Sequence, residues 1–125
     1  MTTNKKAIPE LRSLFINGRL WFDKANGNTY HAVSISANGK WLIDIGITYG
    51  YEDHYLQTAL AWLKSFGLVA QETKDLRELR EELDLYTARH YTLKKELYKD
   101  TIKGQKVEDY AQQLIRIEAL KNGEF

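Results

Sequence analysis

Two Asn-Gly pairs, Asn26-Gly27 and Asn38-Gly39, lie within runs of alternating apolar residues and constrain this chain more than any other feature. Asn and Gly tolerate the positive φ that a tight reversal needs, and each pair is flanked by strand-forming residues. The spacing predicts strands over residues 19–25, 28–37 and 40–49, joined as an antiparallel meander. A slip of one residue turns every side chain to the other face, so the hydrophobic pattern selects the register. A two-residue loop at Asn26-Gly27 pairs Phe22 with His31 and Leu20 with Val33. A three-residue loop, Ala37-Asn38-Gly39, pairs Ile35 with Trp41. The core face then reads Leu20, Phe22, Val33, Ile35, Trp41, Ile43, Ile45 and Ile47. The open face carries Arg19, Trp21, Asp23, Tyr30, Ala32, Ser34, Ser36, Leu42 and Asp44.

Helices are expected on both sides of the meander. Pro9 suits the first turn of a helix, and Ile8, Leu11, Leu14 and Phe15 follow at helical spacing up to Asn17-Gly18, a stop signal. A second helix is expected over residues 53–66, from Asp53 as N-cap to Gly67. It has two apolar stripes, one of Leu56, Leu60 and Leu63 and one of Tyr55, Ala59, Trp62 and Phe66, so it needs cover on two sides. Beyond Gly67 the chain becomes densely charged. Leu76, Leu79, Leu83, Tyr86, His90, Leu93 and Leu97 recur at alternating spacings of three and four, the a/d pattern of a heptad helix. Thr73 or Asp75 can cap its start, and Gly104 marks a turn into a second helix over residues 107–121, with Val107, Tyr110, Leu114 and Ile117 in series.

The expected fold class is therefore α+β. A helix, a three-stranded antiparallel meander and a helix fill residues 8–68. A coiled-coil-like C-terminal antiparallel helical hairpin over residues 73–121 packs on that module or forms a subunit interface. In the second case Leu79, Leu83, Tyr86, His90 and Leu93 are the candidate oligomer contacts. Phe22, Trp41, Trp62 and Phe66 are assigned to the core.

Composition narrows the functional classes. The 125 residues fit one compact unit. With 18 Lys+Arg against 17 Asp+Glu, the chain has no overall charge that would draw it to nucleic acid or an anionic membrane. It has no cysteine, hence no thiol nucleophile or cysteine zinc site. Met1-Thr-Thr-Asn-Lys-Lys leads into no apolar segment of the export type, so a cytoplasmic location is expected. His31, His54 and His90 fall on separate elements without metal-ligand spacing, and no metal or other cofactor is expected. Asp23 and Asp44 lie on a flat face that offers no cleft for paired carboxylates. No nucleophile is paired with a base, so the chain reads as a non-enzyme. Aromatic content is 12%, and tyrosines cluster in Tyr49-Gly50-Tyr51-Glu52-Asp53-His54-Tyr55. Trp21, Tyr30, Tyr49, Tyr51, His54 and Tyr55 are the candidate partner-binding residues, because rings give large contact area at low entropy cost.

Two resemblances add to this. The order of elements over residues 8–68, the segment Gly27-Asn28-Thr29-Tyr30-His31 and the run Ala32–Gly39 resemble the double-stranded-RNA-binding domain. That family's loop proline is replaced here by Asn28, and its phosphate-binding lysines by Tyr51-Glu52-Asp53-His54. The resemblance thus implies the topology without the charge that supplies duplex affinity. The segment Trp21–His31, with Tyr49-Gly50-Tyr51 and Tyr55-Leu56, resembles small uncharacterised proteins encoded by bacteriophages and prophages. This second resemblance implies a stoichiometric inhibitor or adaptor that acts on a host protein or defence complex, and residues 73–121 are expected to make the chain a homo-oligomer. Two alternatives are a nucleic-acid-binding module using the Asn26–His31 loop and the open face, and an oligomeric nucleotide-signal sponge.

Overall fold

A computed structural model describes residues 8–100 and 110–125. Strands β1 (Ser13–Asp23), β2 (Asn28–Ala37) and β3 (Lys40–Tyr49) form the meander, followed by helix α1 (His54–Ser65). A 3-10 helix (Leu76–Glu81), strand β4 (Asp84–Tyr91) and helices α2 (Lys94–Asp100) and α3 (Tyr110–Lys121) complete the chain. The four strands make one mixed sheet in the order β3-β2-β1-β4, with β4 parallel to β1 and the other neighbours antiparallel.

The fold is α+β, but two of the expected helical elements are corrected. Residues 13–17 belong to a strand, not to an opening helix. Leu14, Ile16, Gly18 and Leu20 are buried while Phe15 and Arg19 are not, so the period of two begins at Leu14. Gly18, read as a helix stop, lies inside β1 for a packing reason. The Tyr55 ring lies against its Cα, where a Cβ would stand 2.5 Å from two ring carbons. The C-terminal helical hairpin is absent as well. Its heptad series is spread over four kinds of structure: Leu76 and Leu79 on the 3-10 helix, Tyr86 and His90 on β4, Leu93 in a loop and Leu97 on α2. Tyr86, Thr87, Tyr91 and Thr92 favour a strand, and β1 would otherwise leave a row of backbone groups unpaired beside the core. The expected Gly104 turn and Val107 lie outside the described residues; within the second expected helix, residues 110–121 form α3.

Both hairpins also differ in register. Gly27 N–H donates to the Asp23 carbonyl (2.7 Å), closing a four-residue loop that sets Trp21 opposite Tyr30 and Leu20 opposite His31. The shift is two residues, so each side chain keeps its face. At the second turn Ala37 pairs with Lys40 around Asn38 (φ 53°) and Gly39 (φ 82°), a two-residue loop and not the three-residue one. The facing problem is solved later, inside β3. Ser36 pairs with Trp41 and Ile35 with Ile43, leaving Leu42 as an extra residue. Gly46 and Ile47 together stand opposite Ala32, between the pairs Val33–Ile45 and His31–Thr48. These are two β-bulges, and each one re-aims the side chains beyond it.

The main core lies between the sheet and the layer of α1 and the 3-10 helix. Leu14, Ile16, Val33, Ile35 and Ile43 meet Tyr55, Leu56, Ala59, Leu60 and Leu63, with Leu76, Leu79 and Leu83 closing one side. Asp75 caps the 3-10 helix, accepting from Arg77 N–H (2.8 Å) while Glu78 reaches back to Asp75 N–H (2.9 Å). From α3, Ile117 and Leu120 join this core. On the other sheet face α2 lies against β1, β2 and β3, where Leu97 and Ala32 are both fully buried. Phe22 and Trp41, assigned to the core by pattern, are 46% and 45% exposed. Trp62 and Phe66 are half-buried at its margin.

Gly18→Ala is expected to destabilise the chain by about 1–3 kcal/mol in urea unfolding, the usual cost of forcing a group into a filled site. In a Tyr55→Leu background that cost should shrink, since the two positions share one space. A loss below about 0.5 kcal/mol in the wild-type background would show that the contact is not a constraint.

Candidate functional site

The open face of the sheet carries two aromatic rows. In the first, Trp21, Tyr30 and Tyr49 are successive cross-strand partners on β1, β2 and β3. Trp21 and Tyr30 stack at 6.0 Å between ring centroids with planes 21° apart, and Tyr30 meets Tyr49 edge-on at 5.8 Å. Without the bulge at Gly46-Ile47, Tyr49 would oppose Thr29 and point to the core face. With it, Tyr49 joins the row and is 59% exposed. The Lys94 ammonium lies over the Trp21 ring, 5.2 Å from its centroid.

The corner after β3 holds this row in place. Gly50 N–H donates to the Thr29 carbonyl (3.0 Å), and its own carbonyl accepts from His31 Nδ1 (3.1 Å). A carbonyl can only accept, so Nδ1 carries the proton and Nε2 accepts from the Thr58 hydroxyl on α1 (2.7 Å). Gly50 has φ 153° and the His54 ring covers its Cα, where a Cβ would stand 2.5 Å from His54 Cγ. Only glycine fits both conditions. His31 is 1% exposed. Burial, with the neighbouring His54, pushes its pKa below the ordinary 6.5, and the hydrogen bond to Gly50 only partly opposes this. Beyond the corner Tyr51 is 64% exposed, and its carbonyl accepts from His54 N–H at the start of α1.

The expected partner-binding residues therefore separate. Trp21, Tyr30 and Tyr49 form the ring row, while Tyr51 and His54 are exposed at the corner after β3, the His54 ring lying 5.4 Å from that of His31. Tyr55 joins neither, being a core residue only 3% exposed against Gly18. The expected oligomer contacts separate too: Leu79 and Leu83 are buried in their own core, while Tyr86, His90 and Leu93 are exposed. His31 points inward, so the Asn26–His31 segment presents no histidine.

The second row was missed by pattern reading. Tyr86, Phe15, Ser36 and Trp41 are register partners across β4, β1, β2 and β3, with Tyr86 62% and Phe15 44% exposed. It lies six residues along β1 from the first, roughly 20 Å at strand spacing. The Arg116 guanidinium on α3 stacks on Trp41 at 4.5 Å, and its Nε–H donates to the carbonyl of the bulge residue Leu42 (2.8 Å). Between the rows, Arg19 donates to Ser34 (3.4 Å) and Ser34 to Asp44 (2.7 Å), which also accepts from Trp41 Nε1–H (3.1 Å). The alternation Phe15, Asn17, Arg19, Trp21 was the available signal for the position of Phe15.

Among the described residues no three His, Asp or Glu side chains are grouped to hold a metal ion, and no helix is long and apolar enough to cross a membrane. A shallow cavity of about 350 Å³ lined by Arg12, Arg80, Glu81, Glu82, Leu83 and Asp84 lies at the far end of β1 from Trp21. Comparison with protein families, curated proteins and solved structures finds no match to this chain.

His31 gives the chain a defined pH dependence. Its folded pKa is lowered, so the unfolded chain binds the proton more readily. Stability is then complete above about pH 6.5, the ordinary histidine value, and falls as the pH drops towards the lowered folded value. Urea titrations of the wild type should show this acid-side loss, and His31→Gln should flatten it within that window. An equal slope in the variant would assign the loss to other groups.

Proposed function

We propose that this chain is a non-enzymatic accessory protein of phage type, which binds a host protein or protein complex stoichiometrically as an inhibitor or adaptor. The phage setting rests on the resemblance carried by Trp21–His31, Tyr49–Tyr51 and Tyr55-Leu56. The binding reading is supported by one observation, the ring row Trp21–Tyr30–Tyr49 with Tyr51 and His54 on the corner beside it. Rings already fixed by cross-strand packing lose little further entropy on binding, and they offer the flat area from which protein hot spots are built. Gly50, His31 and Thr58 fix the corner to α1, so the surface is formed before a partner arrives.

A protein partner suits this surface better than a polyanion. Nucleic-acid affinity needs several phosphate contacts, and among the described residues Lys94 places its ammonium over Trp21 of the row. Tyr51-Glu52-Asp53-His54 stand where the double-stranded-RNA-binding family carries its phosphate-binding lysines.

Capture from host cells with the wild-type chain and with Tyr49→Ala/Tyr51→Ala tests the reading. The partner is expected to be a protein, and the double variant should bind it at least roughly thirtyfold more weakly, the scale of losing a hot spot. The melting temperature should stay within a few degrees of wild type. Wild-type affinity in the double variant would rule out this surface. A nucleic-acid partner, released steeply between about 50 and 200 mM salt, would move the protein to the nucleic-acid-binding class.

A further inference from the structure

Strand β4 closes one edge of the sheet, and among the described residues no strand pairs with its outer side. The Asp84 and Thr92 N–H groups both donate inward, to the carbonyls of Arg12, just before β1, and Leu20, within it. Inward and outward residues alternate along a parallel ladder, so Asp84, Tyr86, Ala88 and His90 bond to β1. Leu85, Thr87, Arg89 and Tyr91 consequently direct their N–H and C=O groups away from the sheet. The strand's side chains are mostly exposed. Edges of this kind are normally blunted by proline, lysine, a bulge or short length. None of these applies to β4, which keeps unbroken register with β1 over all eight residues. Its one outward cation, Arg89, is bound to Asp53 of the same chain at 3.1 Å.

We propose that β4 is a self-association edge, on which a second copy of this chain pairs antiparallel with Ala88 on the two-fold axis. The sequence of the strand singles out both the occupant and the register. Centred on Ala88, all four outward residues enter hydrogen-bonded pairs, Leu85 with Tyr91 and Thr87 with Arg89 of the second copy, and the reverse. Tyr86 then faces His90 of the second copy, and the two smallest side chains of the strand, the alanines, meet at the axis. Centring on Arg89 sets two guanidinium groups directly opposite, which is unfavourable. Centring on Thr87 uses only three of the outward residues within the strand. An isologous contact requires the same patch to match itself, and the Ala88 register meets that condition. The two sheets join into one of eight strands, leaving the Trp21–Tyr30–Tyr49 row of each copy free. The pairing does not depend on the function proposed above.

Two variants test the pairing, alongside the mass of the wild-type chain in solution by light scattering. Thr87→Pro removes a central outward N–H while leaving the inward ladder to β1 intact. Ala88→Cys places a thiol on the axis of a chain without cysteine. In a non-hydrogen-bonded antiparallel pair the two Cα atoms lie about 4.5 Å apart, within disulfide range. The wild type is expected to be a dimer at micromolar concentration. Thr87→Pro should raise its dissociation constant at least tenfold without loss of far-ultraviolet circular dichroism. Ala88→Cys should convert to covalent dimer on mild oxidation, whereas Glu72→Cys, exposed and distant in sequence from β4, should not. A monomeric wild type at about 100 μM would overturn the proposal. So would a dimer in which Ala88→Cys fails to cross-link, and this second readout holds even if Thr87→Pro does not fold.

Discussion

Two extra residues in β3 determine which side of the sheet its aromatic side chains occupy. The first bulge, at Leu42, lets a tight Asn38-Gly39 turn coexist with a core built from Val33, Ile35, Ile43 and Ile45. Its consequence is that Trp41 faces outward and Arg116 from α3 can stack on it while bonding the Leu42 carbonyl. The second bulge, opposite Ala32, turns Tyr49 to the same face as Tyr30 and Trp21. With the first bulge alone, Tyr49 would point towards α1 and the ring row would have two members.

The sheet has an unequal sandwich around it. One face packs against α1 and the 3-10 helix over most of its buried core, and Gly18 permits the close approach that brings the Tyr55 ring into that layer. Among the described residues, the other face receives the short α2, against which Ala32 is buried, and the Arg116 guanidinium of α3 on Trp41. Tyr49 of the first aromatic row and Phe15, Trp41 and Tyr86 of the second remain exposed. The ring row is also tied to the core through one buried side chain. His31 spans from the Gly50 carbonyl to Thr58, so the corner that carries Tyr49 and Tyr51 is connected to α1 by hydrogen bonds through one buried imidazole.

Much of the meander was legible because its signals are local. The bounds of β2 and β3 coincide with the expected 28–37 and 40–49, and α1 with the interior of 53–66. Trp21 and Tyr30 share the open face as the alternation requires. The errors arose where one pattern admits two readings. Leu11, Leu14 and Phe15 fit a helix, but Leu14, Ile16, Gly18 and Leu20 fit a strand, and the backbone of β2 supplied the deciding partner. The series from Leu76 to Leu97 has heptad spacing by coincidence across a 3-10 helix, a strand and a helix. Its Tyr and Thr residues were the contrary signal. Tyr55 looked like part of a tyrosine cluster because sequence neighbours need not share a side once a helix begins.

By itself the sequence determined where the two turns fall, though not their lengths, and with them the central strands β2 and β3 and the helix that follows. These depend on backbone preferences and periodicities that act over a few residues. Tertiary structure decided what depends on partners distant in the chain: that β1 extends back to Ser13, that β4 rather than a helix completes the sheet, and that Tyr49 and Trp41 face outward. A bulge leaves no mark in the strand that contains it, because it is defined by a mismatch with the neighbouring strand. An edge strand is likewise selected by the unpaired groups it satisfies. Such choices become physical only when the two segments meet.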